Sequence, residues 1–223
     1  TLFRSLSPML SNLYLNPFDH HLAEQGYEMV RYADDFVILC RTQAEAEQAL
    51  EVVRQWVEQA GLKLHPDKTK IVDSREESFA FLGYTFRGRF RFPRAKSHQK
   101  FTDRVRDLTP RQSGDSLTTI VEDLNKMMRG WFNYFRHCFW NVYGGYDSWI
   151  RSRLRRILLK RHRTNPEKLP RTRRWPNRYF AELGLYSLVQ AHARFVQSIG
   201  SYQVESRMRE NRPYGSAGGG VTQ

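Results

Sequence analysis

Arg31-Tyr32-Ala33-Asp34-Asp35-Phe36-Val37-Ile38 is the stretch on which the interpretation of this chain depends. Two short β-prone runs, Tyr27 to Val30 and Phe36 to Cys40, flank its centre, which predicts a hairpin with both acids at its tip. Neighbouring residues of a strand face opposite sides, so one carboxylate would reach a metal ion while the other supports it. Carboxylate oxygens suit Mg²⁺, but an acid pair is also common in ordinary solvated turns.

One helix is predicted before this hairpin and another after it. Ser7-Pro8 predicts a helix start with Ser7 as the N-cap, and an apolar stripe continues that helix to about residue 22. Thr42 and Glu45 have the spacing of a capping box, and apolar residues then recur at helical spacing until Gly61 ends the second helix.

Further β-prone runs follow the second helix. Residues 62–64 and 69–73 predict two strands around a His65-Pro66-Asp67 turn, and residues 78–86 and 89–92 predict another pair around Gly88. Residues 1–92 are therefore expected to form an α+β domain with a small antiparallel sheet.

From about residue 93 the sequence becomes basic and helical. Pro93-Arg94-Ala95-Lys96 is predicted to be a linker, and long helices are predicted to begin at Ser116, Asp147 and Ser187. On the helix that Asp147 would cap, the basic side chains are expected to point largely outward: Arg151, Arg153, Arg155, Arg156, Lys160 and Arg161. The prediction is an all-α basic bundle over residues 93–205 and a flexible tail over residues 206–223.

The charge of the chain is unevenly distributed. Its 36 Lys and Arg and 23 Asp and Glu give a net charge of +13. Residues 1–74 contain 7 basic and 11 acidic residues, a net charge of −4, whereas residues 75–223 contain 29 and 12, a net charge of +17. Clustered Lys and Arg gain free energy by displacing counterions from phosphates, so the second part predicts a nucleic-acid partner.

Other classes of protein are disfavoured by the sequence. It has no long apolar run for a membrane span and no signal-peptide pattern, which predicts a soluble, intracellular protein. Cys40 and Cys138 lie too far apart to suggest a disulfide framework or a zinc site, and the seven His show no ligand spacing. Both cysteines are expected to be reduced packing residues.

Four motifs resemble those of group II intron-encoded reverse transcriptases, in the order in which that family has them. Arg31 to Ile38 resembles the Tyr-Ala-Asp-Asp signature, Gly61 to Lys70 the palm segment after it, and Phe81-Leu82-Gly83-Tyr84-Thr85-Phe86 the family's Phe-Leu-Gly-Tyr element. Gly130-Trp131-Phe132-Asn133-Tyr134-Phe135 resembles the maturase, or thumb, helix. The resemblance implies a partial polymerase palm over residues 1–92, followed by a thumb and maturase domain.

The resemblance also implies roles for individual residues. Asp34 and Asp35 would be catalytic and bind Mg²⁺, while residues near the primer or incoming deoxynucleotide would be Tyr32, Ala33, Lys68, Leu82 and Gly83. The basic helices would hold intron RNA, with these candidates for contact: Arg129, Arg151, Arg155, Arg156, Lys160, Arg171, Arg173 and Arg174. Lys68 on a solvated strand face, and Gly83 at a bulge or close strand approach, are the structural alternatives. Trp131, Tyr134 and Phe135 have the spacing of core residues rather than of a base-stacking platform.

The chain departs from the family pattern at its start. Thr1 to Leu6 stand where the family has a Pro-Gln-Gly segment, and the palm aspartate that would be the other principal metal ligand is not present. We therefore expect a truncated copy whose isolated chain does not polymerise DNA. A partner is left open, either a second copy or a complementing fragment. No Cys- or His-rich nuclease segment is present, so a DNA endonuclease is not expected.

Two functions compete on this basis. The first is enzymatic: an RNA-directed DNA polymerase of a mobile element, a nucleotidyltransferase that adds deoxynucleoside triphosphates to a DNA primer on an RNA template. The alternative is a maturase that binds intron RNA and promotes RNA splicing without catalysis. A bacterial reverse transcriptase outside introns is disfavoured by Gly130 to Phe135. The expected location is the bacterial cytoplasm, or an organelle in a eukaryotic host.

Overall fold

The structure, a computed structural model, describes residues 2–112, 114–162 and 171–210, and the side chains of residues 8–112, 114–162 and 173–200. The chain divides into two compact units, Thr1–Ser97 and His98–Gln223. The domain boundary predicted at residue 93 lies slightly before this division. Of the tail predicted over residues 206–223, residues 206–210 belong to a helix, and the remaining residues lie outside the described ones.

The first unit contains two helices and two small antiparallel sheets, as the predicted α+β class requires. Its elements are α1 (Leu2–Glu24), β1 (Glu28–Tyr32), β2 (Asp35–Leu39), α2 (Gln43–Gln59), β3 (Phe79–Phe81), β4 (Tyr84–Arg87) and β5 (Phe90–Pro93). Strands β1 and β2 form one sheet, and β3, β4 and β5 form the other in that order. The fold class is confirmed.

The core of the first unit joins both helices to the β1–β2 hairpin. Phe18 and Leu22 of α1 cluster with Val53 and Val57 of α2, and one face of the hairpin packs against them through Met29, Phe36 and Ile38. The register explains this face, because Met29 pairs with Ile38 and Arg31 pairs with Phe36. Paired residues of antiparallel strands lie on the same side of the sheet.

Helix α2 begins and ends as its sequence predicts. The Thr42 hydroxyl accepts a hydrogen bond from the Glu45 amide, and Gly61 follows the last turn at a φ of 69°. The Gly61 amide donates to the Glu58 carbonyl and the Leu62 amide donates to the Val57 carbonyl, a pairing that needs the left-handed conformation glycine tolerates.

Three predictions for the first unit were wrong. Helix α1 already begins at Leu2, so Ser7 is not its N-cap, and both Pro8 and Pro17 lie inside it. A proline inside a helix removes one hydrogen bond and disfavours the helical conformation of the residue before it, but a kinked helix can continue through it. Residues 62–73 contain no strand, because short β-prone runs need a neighbouring strand, although the turn at His65 is present. Residues 78–86 are not one strand but the β3–β4 hairpin.

The second unit is the predicted helical bundle. Its helices are α3 (Ala95–Leu108, which begins in the first unit), α4 (Leu117–Phe135), α5 (Asn141–Arg161), α6 (Arg171–Arg174), α7 (Asn177–Glu182) and α8 (Leu188–Glu210). Ser116 caps α4 as predicted, with its hydroxyl accepting from the Thr119 amide. The interior contains Leu124, Met128, Tyr143 and Ile150, all of which are fully buried.

Two predictions for the second unit were also wrong. Residues 93–96 are not a linker, because Pro93 ends β5 and Ala95 begins α3, a helix whose Phe101 and Val105 are buried one turn apart. Asp147 does not cap α5, which begins six residues earlier at Asn141. Its carboxylate instead accepts hydrogen bonds at the start of α8, from the Leu188 and Val189 amides.

None of the helices in the described part of the chain is both long enough and apolar enough to span a membrane. Cys40 and Cys138 are both thiols, as predicted.

Candidate metal site and basic surface

The acid hairpin, β1 and β2 with the turn between them, places Asp34 and Asp35 one after the other. Tyr32 pairs with Asp35, so Ala33 and Asp34 form a two-residue turn. Ala33 has a φ of 55°, in a region that glycine usually occupies in such turns. An alanine there costs on the order of 1 kcal/mol, so contacts around the turn must hold it.

The two carboxylates stand in different positions. Asp34 is a turn residue, whereas Asp35 is the first residue of β2 rather than part of the tip. Asp35 shares a sheet face with Tyr32, whose side chain is 66% exposed, and this face lies opposite the core-facing Arg31 and Phe36. Both acids are exposed, and within the described residues neither has a hydrogen-bond or ion-pair partner.

These residues fit a hard divalent cation in their donor chemistry. Two adjacent, solvent-exposed carboxylates that have no partner among the described residues leave their oxygens available, and such oxygens with several waters are what Mg²⁺ prefers. Across the described ranges, no group of three or more His, Cys, Asp or Glu side chains is placed to hold a metal ion. Asp34 and Asp35 are thus the ligand candidates that the hairpin offers.

Arg31 is a residue of this hairpin to which the sequence motif assigned no role. Its guanidinium contacts Asp19 and Asn12 of α1 and the backbone carbonyl of Ala33 in the turn. A strand periodicity argument could have found it. Arg31 is two residues after Met29 in the strand and therefore lies on the same, core-facing side, where a charged side chain requires a partner.

The remaining residues predicted near the primer or nucleotide lie in other segments of the first unit. Lys68 is exposed in the loop between α2 and β3, and no hydrogen bond or ion pair within the described residues joins it to either carboxylate. Leu82 and Gly83 form the β3–β4 turn, with φ values of 47° and 77°. The Gly83 carbonyl accepts hydrogen bonds from the Arg94 amide at 2.8 Å and the Ser97 hydroxyl at 3.1 Å. Gly83 is therefore a turn glycine rather than a bulge within a strand.

The basic residues predicted to contact RNA differ in their exposure. Arg156, Lys160 and Arg173 are exposed, and Arg151 is half-buried. Two exposed arginines stack on rings, Arg129 over Tyr186 at 4.9 Å and Arg174 over Trp175 at 5.0 Å. The side chain of Arg171 lies outside the described ones.

Arg155 was predicted to point outward with the other basic residues of its helix, and this prediction was wrong. Its side chain is only 7% exposed, its Nε donates to the Trp175 carbonyl at 2.9 Å, and its Nη2 donates to Asn177 Oδ1 at 2.7 Å. The guanidinium also lies over the Phe180 ring. It faces inward because Trp175, which follows α6, and Asn177, the first residue of α7, offer acceptors there, and desolvation lowers its pKa.

The aromatic residues of α4 belong mainly to the interior. Trp131 packs against the rings of Phe101, Phe135 and Tyr146 at centroid distances of 4.7, 4.8 and 5.1 Å. Phe135 is buried, and Tyr134 is the exposed member of the set. The core interpretation of Trp131 and Phe135 is confirmed.

Two family models match the chain, in the order of its two units. Residues 4–86 match the family described as reverse transcriptase (RNA-dependent DNA polymerase). Residues 98–179 match the family described as group II intron, maturase-specific domain, so this match begins at the first residue of the second unit. No curated protein matches the chain.

Proposed function

Because the chain belongs to the family of group II intron-encoded reverse transcriptases and maturases, we propose that its two units divide two tasks. The acid hairpin of the first unit would serve RNA-directed DNA synthesis, and the second unit would bind intron RNA. The observation that carries the first part is the pair of exposed carboxylates on one hairpin, free of protein partners among the described residues. The location of action would be that of the intron RNA, the bacterial cytoplasm or an organelle.

The hairpin residues have distinct tasks in this proposal. Asp34 and Asp35 would hold Mg²⁺, which when bound neutralises the phosphates of a deoxynucleoside triphosphate and stabilises charge on the reacting oxygens. Tyr32 lies on the same face as Asp35 and offers an exposed ring beside it, which suits contact with a primer or nucleotide. Ala33 keeps the turn narrow, because its methyl group leaves space next to the acids.

Lys68, Leu82 and Gly83 would act on the nucleic acid from the loop and from the β3–β4 turn. An exposed ammonium such as that of Lys68 suits phosphate as a point charge. The turn at Leu82-Gly83 is held by the hydrogen bonds that the Gly83 carbonyl accepts, so it presents a fixed backbone surface to a primer end.

RNA binding by the second unit rests on its exposed cations. Guanidinium groups bind phosphate in two-pronged geometry and stack on bases, and an ammonium group binds phosphate as a point charge. The proposed RNA contacts lie on helices and are exposed, apart from the half-buried Arg151: Arg129, Arg151, Arg156, Lys160, Arg173 and Arg174. Arg155 is not included, because its guanidinium is engaged with Trp175 and Asn177. The RNA partner would be the group II intron, with an RNA template and a DNA primer at the hairpin.

The two tasks separate by mutation. Binding of intron RNA is measured for the chain, and DNA synthesis on a primed RNA template is measured for the chain joined to the upstream palm segment that the resemblance implies, because the isolated chain is not expected to polymerise DNA. Both measurements are repeated for Asp34→Ala and Asp35→Ala, and for the double reversal Arg151→Glu with Arg156→Glu. The acid substitutions should abolish DNA synthesis and leave RNA affinity unchanged, whereas the double reversal should weaken RNA binding. Arg54→Glu, which reverses an exposed charge on α2, is the control for charge alone.

The alternative role without catalysis is favoured by a different result. If the chain binds intron RNA and promotes splicing but makes no DNA even when joined to the upstream palm segment, the maturase role stands and the enzymatic proposal fails. If Asp34→Ala also abolishes RNA binding while the fold is intact, the division of tasks between the units is wrong.

A further inference from the structure

Arg31 connects the turn of the acid hairpin to helix α1 through four hydrogen bonds. Its Nε donates to Asp19 Oδ1 at 2.7 Å, and its Nη2 donates to Asp19 Oδ2. Its Nη1 donates to Asn12 Oδ1 at 2.9 Å and to the carbonyl of Ala33 at 2.8 Å. One side chain therefore bonds to two residues of α1 and to the backbone of the turn that carries Asp34.

The ion pair at the centre of this arrangement is partly buried. The side chain of Arg31 is 10% exposed and that of Asp19 is 34% exposed. Two parallel N–H to oxygen bonds fix the plane of the guanidinium as well as its position. Hydrogen bonding to Asp19 raises the pKa of Arg31. An arginine is charged in any case, and the aspartate compensates that charge beside the hairpin.

The part of α1 that carries Asp19 packs against the core through its neighbour Phe18. Asp19 directly follows Phe18, whose ring packs against Phe36 at a centroid distance of 5.3 Å and against Trp56 at 4.8 Å. Asn12 and Asp19 are seven residues apart, which places them on one face of the helix two turns apart. The hydrogen bonds therefore connect the turn to a helix that packs in the core rather than to another loop.

The turn has a specific need for such an anchor. Ala33 occupies a left-handed conformation at a φ of 55°, which alanine adopts at a cost, and its carbonyl is the atom that Arg31 holds. Without this bond the turn could relax toward other conformations. Asp34, the next residue, would then lose its fixed direction.

We propose that Arg31 is a positioning residue, which fixes the Ala33-Asp34 turn to α1 through Asp19 and Asn12 and thereby sets the direction of the Asp34 and Asp35 carboxylates. Arg31 acts through the backbone of the turn and does not contact metal or substrate. The inference rests on the proposed function in one respect, that these carboxylates are the metal ligands. It makes Asp19, which does not contact the turn, a determinant of the geometry of the site.

The test measures the order of the turn and its metal affinity separately. In the full chain, ¹⁵N relaxation gives order parameters for Ala33, Asp34 and Asp35, and Mn²⁺ titration gives the affinity from broadening of the Asp34 and Asp35 amide signals. The variants are Arg31→Met, Arg31→Lys and Asp19→Asn. The matched control is Arg54→Met, which removes another paired arginine of the same unit, next to Glu51.

The expected result is a local loss of order. The order parameters of the turn amides should fall from the rigid value of about 0.85 toward about 0.6 in Arg31→Met and Asp19→Asn, while Met29 and Ile38 of the same hairpin stay rigid. Mn²⁺ affinity should fall about tenfold, as for other residues that orient metal ligands. Arg31→Lys should give order parameters and an Mn²⁺ affinity between those of the unmutated chain and those of Arg31→Met, because an ammonium cannot bond the turn and both carboxylate oxygens at once. Combining Arg31→Met with Asp19→Asn should add little to either change.

Other outcomes overturn the inference or the proposed function, but not both together. Turn amides that stay as rigid in Arg31→Met and Asp19→Asn as in Arg54→Met would overturn the positioning role, whatever the metal does. Loss of order throughout the hairpin would also overturn it, since Arg31 would then be a general stabiliser. If Mn²⁺ broadens neither amide in the unmutated chain, the metal-ligand proposal fails, while the order parameters still decide the role of Arg31.

Discussion

The guanidinium of Arg155 lies inside the second unit, next to the Phe180 ring and the backbone of Trp175. Helical periodicity alone leaves Arg155 at the edge of the apolar face, between the buried Leu154 and the exposed Arg156. A position at the edge of an apolar face can turn either way. Arg155 faces inward because the Trp175 carbonyl and Asn177 Oδ1 accept its hydrogen bonds, and sequence spacing does not reveal these acceptors.

Arg155→Met should therefore destabilise the chain although it removes a charge from a strongly basic protein. The substitution leaves the Trp175 carbonyl and Asn177 without their donor, and losing hydrogen bonds to a charged group costs about 2 kcal/mol. Arg156→Met, one residue further along the same helix, should change stability by less than about 0.5 kcal/mol. Urea unfolding of both variants checks this. Equal destabilisation would mean that Arg155 is held no more firmly than its exposed neighbour.

Arg31, unlike Arg155, lies in a motif whose structure the sequence predicts correctly. The strand pattern around Tyr32-Ala33-Asp34-Asp35 predicts the hairpin and its acids, and the structure has both in register. The same pattern places Arg31 on the core face but cannot name Asp19 as its partner, because that contact spans the turn between helix and strand. Residue identity at a motif is readable from sequence, whereas the residues that orient the motif come from other elements.

Among the elements, those with complete local signals were predicted and those that depend on a partner were not. Helix α2 has its cap, its stripe and its terminal glycine within 20 or so residues of sequence, so local chemistry determines it. The predicted strands over residues 62–73 lacked a neighbour to pair with. Helix α3 was missed because its apolar residues are sparse, and burial of Phe101 and Val105 depends on the helices around them.

Asp147 connects two helices, because it lies in α5 and its carboxylate caps the start of α8. It lies within α5 at 3% exposure, and its carboxylate accepts from the Ser187 hydroxyl at 2.7 Å and from the Leu188 amide at 3.0 Å. It thus supplies the acceptors that the first amides of α8 would otherwise lack, and a negative charge where the helix dipole favours one. An acidic side chain from one helix stabilises the start of another.

Asp147→Asn should destabilise the second unit by about 1 to 3 kcal/mol, because an amide nitrogen would face the donors that the carboxylate now accepts. Asp123→Asn is the matched control, since Asp123 forms an exposed ion pair with Lys126 within a single helix. Removing that pair should cost less than about 0.5 kcal/mol. Urea unfolding monitored by circular dichroism measures both. A cost for Asp147→Asn no larger than the control's would show that α8 does not depend on this cap.

Across the whole chain, the boundary between the two units gives a different division of charge from the one that the sequence suggests at residue 74. Residues 1–97 contain 13 basic and 13 acidic residues, and residues 98–223 contain 23 and 10, so the second unit holds the entire net charge of +13. Within the first unit the positive residues concentrate after residue 74, on and around the β4–β5 hairpin. Sequence composition predicted a basic second part, and only the boundary of the compact units shows that the first is neutral.

This division predicts how binding of intron RNA depends on salt. The logarithm of the association constant should fall linearly with the logarithm of salt concentration, because bound cations release counterions from phosphates. Replacing Arg156, Arg173 and Arg174 with Gln should reduce that slope by about one for each phosphate that is no longer neutralised. Replacing Arg41 and Arg54 of the neutral first unit with Gln should leave it unchanged. A slope that falls equally in both sets would mean that RNA binding is not confined to the second unit, and the exposed arginines of β4 and β5 would then be the next to replace.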